Sequence, residues 1–289
     1  MKKIKNIFVS TAYAKDNSKI SDILLMCKKA NISNIELGSN HVYEKNFIKI
    51  VNQYDFSFLV HNYFPIPKKS FVVNIASSNE HIRNLSIKHI KKAILFCKET
   101  NSKLYTFHPG FVGDPLKASK SKKNYDFIWK QNGVRKSYKL AFNYMLNSLK
   151  TIVNFAKKNH VRVALETEGS SKKKDNFGLM QKPEEYRKLF EYFTPKDLGI
   201  NLNVGHLNLA SKAFEFSKVK FVDDIEDYIV AIELSHNNGI EDEHLPIKKK
   251  AWYWPILERN KFVNIPKILE YRNCNIDKIK KSIEMLKKH

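Results

Sequence analysis

The chain has 289 residues, 43% of them hydrophobic, and a formal net charge of +22. That length and apolar content suit one large α/β barrel or two smaller domains, and nine glycines with nine prolines are too few for a linker-rich or disordered chain. Cys27, Cys97 and Cys274 are widely spaced, odd in number and form no CxxC pair, which argues against a disulfide framework and for a reducing compartment.

The opening Met1 to Lys5 mimics a signal peptide, but the apolar run after it is too short and too polar. No run approaches the roughly 18 apolar residues of a membrane span. A soluble, cytoplasmic protein without a membrane partner is the expectation. The charge has two readings, a polyanion partner or a lysine-rich compositional bias. Arginine, the residue suited to bidentate phosphate and base-edge recognition, stands only at Arg83, Arg135, Arg162, Arg187, Arg259 and Arg272. Its scarcity favours the compositional reading.

Taken in order, Asn6 to Thr11 reads as a strand, and Ser18 opens a helix with Ile20, Ile23, Leu24 and Cys27 on one face. Asn34 to Gly38 is a second strand, ending near Glu36. Residues 44–54 are helical, and Phe56 to Tyr63 is a third strand that carries His61. Asn79 to Thr100 is a long amphipathic helix, followed by a fourth strand, Lys103 to Phe107, which runs into His108-Pro109-Gly110. Residues 111–133 form a long loop containing Tyr125 and Trp129, a length that is usually functional or mobile.

Tyr138 to Asn159 is another long helix. Val161 to Gly169 is the fifth strand, ending in Glu166 and Glu168. A lysine-rich loop (Lys172 to Lys174) leads to Pro183 and a helix over 184–193. Leu198 to Val204 is strand six, then one or two short helices occupy 207–228. Ile229 to Ser235 is strand seven, followed by His236 and a long connection over 237–260. Lys267 to Tyr271 is strand eight with Glu270, and Ile276 to Lys288 is a closing helix. Eight β then α units without a dividing linker predict a single (β/α)8 barrel spanning 1–289.

In such a barrel all strand ends meet at one face. His61, His108, Glu166, Asn203, His206, His236, Asp242, His244 and Glu270 would then converge on one mouth. Nitrogen and oxygen donors without thiolate suit a divalent metal, zinc or manganese first, with cobalt and magnesium as further candidates. Each residue alone is ordinary, since a histidine before Pro-Gly can simply satisfy a turn and a strand-end Glu is usually solvated. Their recurrence at the ends of strands five to eight is what points to a site. His41, His81, His89, His160 and His289 read as surface or packing residues, and Glu36 and Glu168 as borderline.

The pattern resembles the xylose isomerase-like TIM barrel superfamily, which joins sugar isomerases and epimerases to apurinic-site endonucleases of the endonuclease IV type. The resemblance rests on Val60-His61-Asn62-Tyr63, Phe107-His108-Pro109-Gly110, Leu165-Glu166, Asn203-Val204-Gly205-His206, Leu234-Ser235-His236-Asn237, Asp242-Glu243-His244-Leu245-Pro246-Ile247 and Ile268-Leu269-Glu270. For the isomerase branch it implies one metal held by Glu166, Asn203, His236 and Glu270, with the two Glu residues moving protons at carbon and His206 helping to polarise the substrate. For the nuclease branch it implies a zinc cluster that also uses His61, His108, His206, Asp242 and His244 and hydrolyses a phosphodiester.

Two departures stand out. Family members carry Asp where this chain has Asn203, which removes a negative charge and predicts weaker metal binding. After Ile247 the chain runs Lys248-Lys249-Lys250-Ala251-Trp252-Tyr253-Trp254-Pro255, which reads equally as a basic, aromatic lid or as a helix packed on the rim. The expected activity is a metal-dependent sugar or sugar-phosphate isomerase or epimerase. The alternatives are an abasic-site phosphodiesterase acting on DNA, and a binding protein on a degraded metal site.

Overall fold

The computed structural model describes residues 4–118, 127–128, 137–169 and 177–289. Eight parallel strands close into a barrel in chain order: β1 (Ile7–Ser10), β2 (Asn34–Leu37), β3 (Ser57–His61), β4 (Leu104–Phe107), β5 (Arg162–Glu166), β6 (Gly199–Asn203), β7 (Ile229–Leu234) and β8 (Lys267–Leu269). β8 pairs back to β1 through Ile7, Phe8 and Val9. The expected (β/α)8 barrel is therefore the observed one. Tyr125, Trp129 and Lys172 to Lys174 lie outside the described residues. Part of the long loop after β4 forms a two-residue antiparallel ladder, Lys117–Ala118 with Phe127–Ile128.

The larger core lies between the strands and the helices outside them. It takes the buried faces of α1 (Ile20–Lys29), α2 (Phe47–Val51), α3 (Glu80–Glu99), α4 (Tyr138–Lys158), α5 (Pro183–Phe190), α6 (Val204–Phe214), α7 (Lys218–Ile225), α8 (Trp254–Leu257) and α9 (Ile276–Lys288). Local chemistry sets several helix starts. The side chains of Asn79, Ser137, Ser217 and Asn275 accept from the first-turn amides of α3, α4, α7 (Lys218–Ile225) and α9, which satisfies donors that a helix start leaves open. Among the described residues, no helix is long and apolar enough to cross a membrane.

Strand parity explains the barrel interior. Phe8, Leu59, Leu104, Ala164, Ala231 and Ile268 form a separate apolar cluster. Side chains alternate along a strand, so the residues two steps further on face the same way. Those residues are Ser10, His61, Thr106, Glu166, Glu233 and Glu270, all buried. Gly199 belongs to the plug layer, because a Cβ there would lie 3.2 Å from that of Ala164. Two steps beyond it come Asn201 and then Asn203. Six strands thus climb from an apolar plug to a polar layer beneath the mouth.

The opposite end of the barrel is tied by Lys267. This fully buried side chain donates to the carbonyls of Val263 at 3.0 Å, Ile265 at 2.9 Å and Phe262. Its stem faces the core while its ammonium closes the turn before β8.

Candidate metal centre at the barrel mouth

Two clusters of histidine and carboxylate stand in the mouth. In the first, ligand atoms of His61, His108 and Glu166 all lie within 4.8 Å of one another. His61 ends β3, His108 follows β4, and Glu166 ends β5, so three neighbouring strands supply them. The Nε2 atoms of His61 and His108 stand 3.5 and 3.6 Å from Glu166 Oε2. Those separations are too long for good hydrogen bonds. They are close to the spacing of about 3.3 Å between ligands on one tetrahedral ion with bonds of about 2.0–2.1 Å. Glu166 Oε2 is buried and has no hydrogen-bond partner.

The second cluster joins His206, Asp242 and His244, again within 4.8 Å. His206 lies in the first turn of α6 (Val204–Phe214), directly after β6. Asp242 and His244 lie in the connection after β7, pinned by an antiparallel bridge between His236 and Leu245. Asp242 Oδ2 is 3.5 Å from His206 Nε2 and 2.9 Å from His244 Nε2.

All four rings are oriented alike. Nδ1 of His61 meets Thr106 Oγ1 at 2.8 Å, and Nδ1 of His108 meets Glu168 Oε1 at 2.6 Å. Nδ1 of His206 lies 2.9 Å from both the Thr167 carbonyl and Glu166 Oε1, and Nδ1 of His244 lies 3.1 Å from Glu270 Oε2. Each Nδ1 is held from behind and each Nε2 faces its cluster. Outer partners of this type fix the tautomer and aim of metal-binding imidazoles. Glu168 thus acts as the support of His108, a role that its period-two relation to Glu166 makes legible.

In the absence of an ion, protons bind the clusters. Burial pulls the His108 pKa down, but Glu166 and Glu168 outweigh it and carry the ring up to about 9. His244, buried beside Asp242, is likewise raised to about 9, and His206 is raised well above its usual value by Asp242 and Glu166 against burial. His61 goes the other way, lowered by burial. Burial would raise the carboxylates, but His108 and His206 hold Glu166 well below the usual range, His244 and His206 do so for Asp242, and His244 holds Glu270 down to about 2.

Two expected ligands are placed otherwise. Asn203 caps α6, and its Oδ1 accepts from the amides of Gly205 at 3.0 Å and His206 at 3.1 Å. Only an oxygen can serve those donors, so the amide nitrogen must face the mouth. Nδ2 donates to Glu166 Oε1 at 2.9 Å and Glu233 Oε2 at 3.0 Å. Asn203 therefore supports two carboxylates and offers no ligand oxygen to the mouth. His236 is only partly buried and stands outside both clusters, its pKa lowered by burial and by Lys248. It is one residue out of step with Ala231 and Glu233, so strand parity turns it away. Glu233 fills the β7 position instead.

Glu233 was missed in the sequence because it sits within an apolar run, although a step of two from Ala231 points to it. It brings a carboxylate to the mouth where Asn203 lacks one. Glu36, also borderline from sequence, is fully buried in the same layer. Burial raises both pKa values well above the carboxylate range, helped by Glu270 beside Glu36 and by Glu166 beside Glu233. The segment after Ile247 packs on the rim. Trp254 is buried and donates its indole N–H to the Lys248 carbonyl at 2.7 Å, while Lys218 lies 4.5 Å over the ring of Trp252.

Kinship follows from the same barrel. A profile of the xylose isomerase-like TIM barrel family matches residues 26–289. The chain belongs to that family. An uncharacterised protein of Methanocaldococcus jannaschii is 27% identical over 258 residues, 87% of this chain and 77% of the relative. A D-tagatose 3-epimerase-like protein superposes with a TM-score of 0.73 at 22% identity, covering 98% of this chain and 96% of that one. A D-psicose 3-epimerase, solved in the presence of D-fructose, gives 0.66 at 9% identity, covering 98% and 96%. At those identities the likeness to the two structures is one of fold.

Proposed function

We propose that this chain is a divalent-metal-dependent isomerase or epimerase of a sugar or sugar phosphate. The observation that carries the reading is the pair Glu166 and Glu270. Both are buried at strand ends, both are held ionised by histidines of their own, and both face one mouth. An ionised carboxylate can accept a proton, and these two become stronger bases once their histidine partners give up their own protons, as they must to ligate an ion. Two of them can take a proton from one face of a substrate carbon and return one to another.

The histidine and carboxylate clusters have the donors and spacings for a divalent ion, with His61, His108 and Glu166 on one side and His206, Asp242 and His244 on the other. When bound, such an ion supplies Lewis-acid polarisation of the substrate oxygens. Asn203 keeps Glu166 aimed through its Nδ2 hydrogen bond, and His244 does the same for Glu270. His206, fixed by the Thr167 carbonyl, stands between Glu166 and Asp242, and where no ion takes its Nε2 that nitrogen is the donor to a substrate oxygen. The apolar plug below and the packed rim around Trp254 exclude water from the floor and one side. The epimerase names among the fold neighbours agree with this reading. Its test is conversion of ketoses and ketose phosphates by metal-loaded protein, followed by product analysis, with conversion abolished in Glu270→Gln. No conversion across the panel counts against it.

One observation favours a second reading, phosphodiester hydrolysis. The two clusters each have two imidazoles and one carboxylate, a donor set typical of hydrolytic zinc sites. Cleavage of an abasic-site duplex that is lost in His108→Ala and His244→Ala would support it over the first.

A further inference from the structure

Below the two clusters lies a third group, formed by Glu36 of β2, His61 of β3 and Glu233 of β7, whose ligand atoms also lie within 4.8 Å of one another. Glu36 and Glu233 are fully buried and His61 is 4% exposed. No hydrogen bond of 3.5 Å or less reaches either carboxylate oxygen of Glu36 or Glu233 Oε1; the Ser10 hydroxyl beside Glu36 and the Asn201 amide beside Glu233 make at most long contacts. Glu233 Oε2 is occupied by Asn203, so the unpartnered oxygen is the one turned to His61, 3.8 Å from its Nδ1. Buried oxygens without partners are costly to a fold and mark a place where an ion, water or proton belongs.

We infer that Glu36, Glu233 and His61 form an inner cation site, beside the first histidine-rich cluster and sharing His61 with it, for a hard divalent ion of the Mn²⁺ kind. The donor set decides the class. Each outer cluster offers two nitrogens and one carboxylate, which suits zinc. The inner group offers two carboxylates and one nitrogen, and carboxylate-rich sets suit manganese and magnesium. The two carboxylates are the anchoring ligands. The imidazole is the third, joining when Thr106, now 2.8 Å from Nδ1, releases that nitrogen. Because His61 Nε2 faces the first cluster and Nδ1 faces Glu233, the ring can serve either site; a neutral imidazole has one lone pair, so it ligates one ion at a time and the two carboxylates hold the inner ion when Nε2 is taken.

The site does not depend on which reaction the mouth performs, and its test reads metal position without activity. Chelator-stripped wild-type protein is crystallised, soaked in MnCl₂ and measured at the manganese absorption edge. The expected result is an anomalous peak bounded by Glu36 and Glu233. That peak is lost in Glu36→Gln and in Glu233→Gln, while any peak at His206, Asp242 and His244 remains. Electron paramagnetic resonance titration of the same proteins should show one Mn²⁺ fewer per chain in each variant. Absence of the inner peak in wild type at saturating Mn²⁺ overturns the assignment. So does its persistence in Glu36→Gln.

Discussion

Asn203 donates its side-chain N–H to Glu166 at 2.9 Å while its carbonyl oxygen caps the helix that carries His206. One residue thus fixes a β5 carboxylate and the start of α6 together. Asn203→Ala removes the cap, worth about 1 kcal/mol. It also leaves two buried carboxylates short of a donor, at about 1–3 kcal/mol each. A net loss of roughly 3–7 kcal/mol is expected in urea unfolding of the metal-free protein. Asn203→Asp keeps the capping oxygen but turns its other oxygen on Glu166 and Glu233. The metal-free variant should melt lower than wild type, and added Zn²⁺ or Mn²⁺ should raise its melting temperature by more. An equal metal-induced rise in both proteins would show that position 203 does not communicate with the ion.

Glu168 supports His108 from behind at 2.6 Å. Glu168→Gln keeps the shape but removes the charge that orients and activates the ring. Removal of such an outer partner typically weakens metal binding about 10- to 100-fold. Competition against a chromophoric chelator measures it, and unchanged affinity would mean that the first cluster does not hold an ion through His108.

The pH dependence follows from the same histidines. His108 and His244 are raised from 6.5 to about 9 in the folded, metal-free protein. A raised imidazole contributes stability that is complete below its unfolded value and lost as pH rises through the folded one. Metal-free protein should therefore lose stability between about pH 6.5 and 9. Metal affinity should climb over the same window, because the ion competes with those protons. Thermal melts and metal titrations at half-unit pH steps check both trends. A metal-free melting temperature that is flat from pH 6.5 to 9 contradicts the assignment of the buried protons.

Much of this architecture is legible in the sequence, for definite reasons. The strand from Val161 to Glu166 is a β-branched run ending in carboxylates, and the same grammar recurs at His61, His108 and Glu270. What failed was parity. His236 follows its strand visibly, but it is one residue out of register with Ala231, so Glu233 is the side chain that turns inward. A hydrophobic stretch around a single Glu does not announce a buried carboxylate. Asn203 misled differently: its residue type suggests a weak ligand, whereas the strand-to-helix switch after it demands a cap. The link from Glu168 to His108 and the burial of Glu36 depend on neighbours from other strands, which no local pattern contains.

The far end of the barrel allows an independent check. Lys267→Met leaves the carbonyls of Phe262, Val263 and Ile265 without their buried donor. A loss of roughly 2–4 kcal/mol is expected, with metal content unchanged because the mouth lies at the other end of the strands. Loss of metal together with stability would mean that the two ends are not independent.

In the proposed function, Glu166 and Glu270 move a proton at a substrate carbon. The most direct measurement of that transfer is deuterium incorporation, followed by NMR, when metal-loaded protein is incubated with ketoses and ketose phosphates in D₂O. Incorporation at one carbon is expected. It should fall by roughly 10²- to 10⁴-fold in Glu166→Gln and in Glu270→Gln, the range for loss of a positioned acid or base. Ketoses that keep every carbon-bound proton, in a preparation that cleaves a phosphodiester, would contradict it.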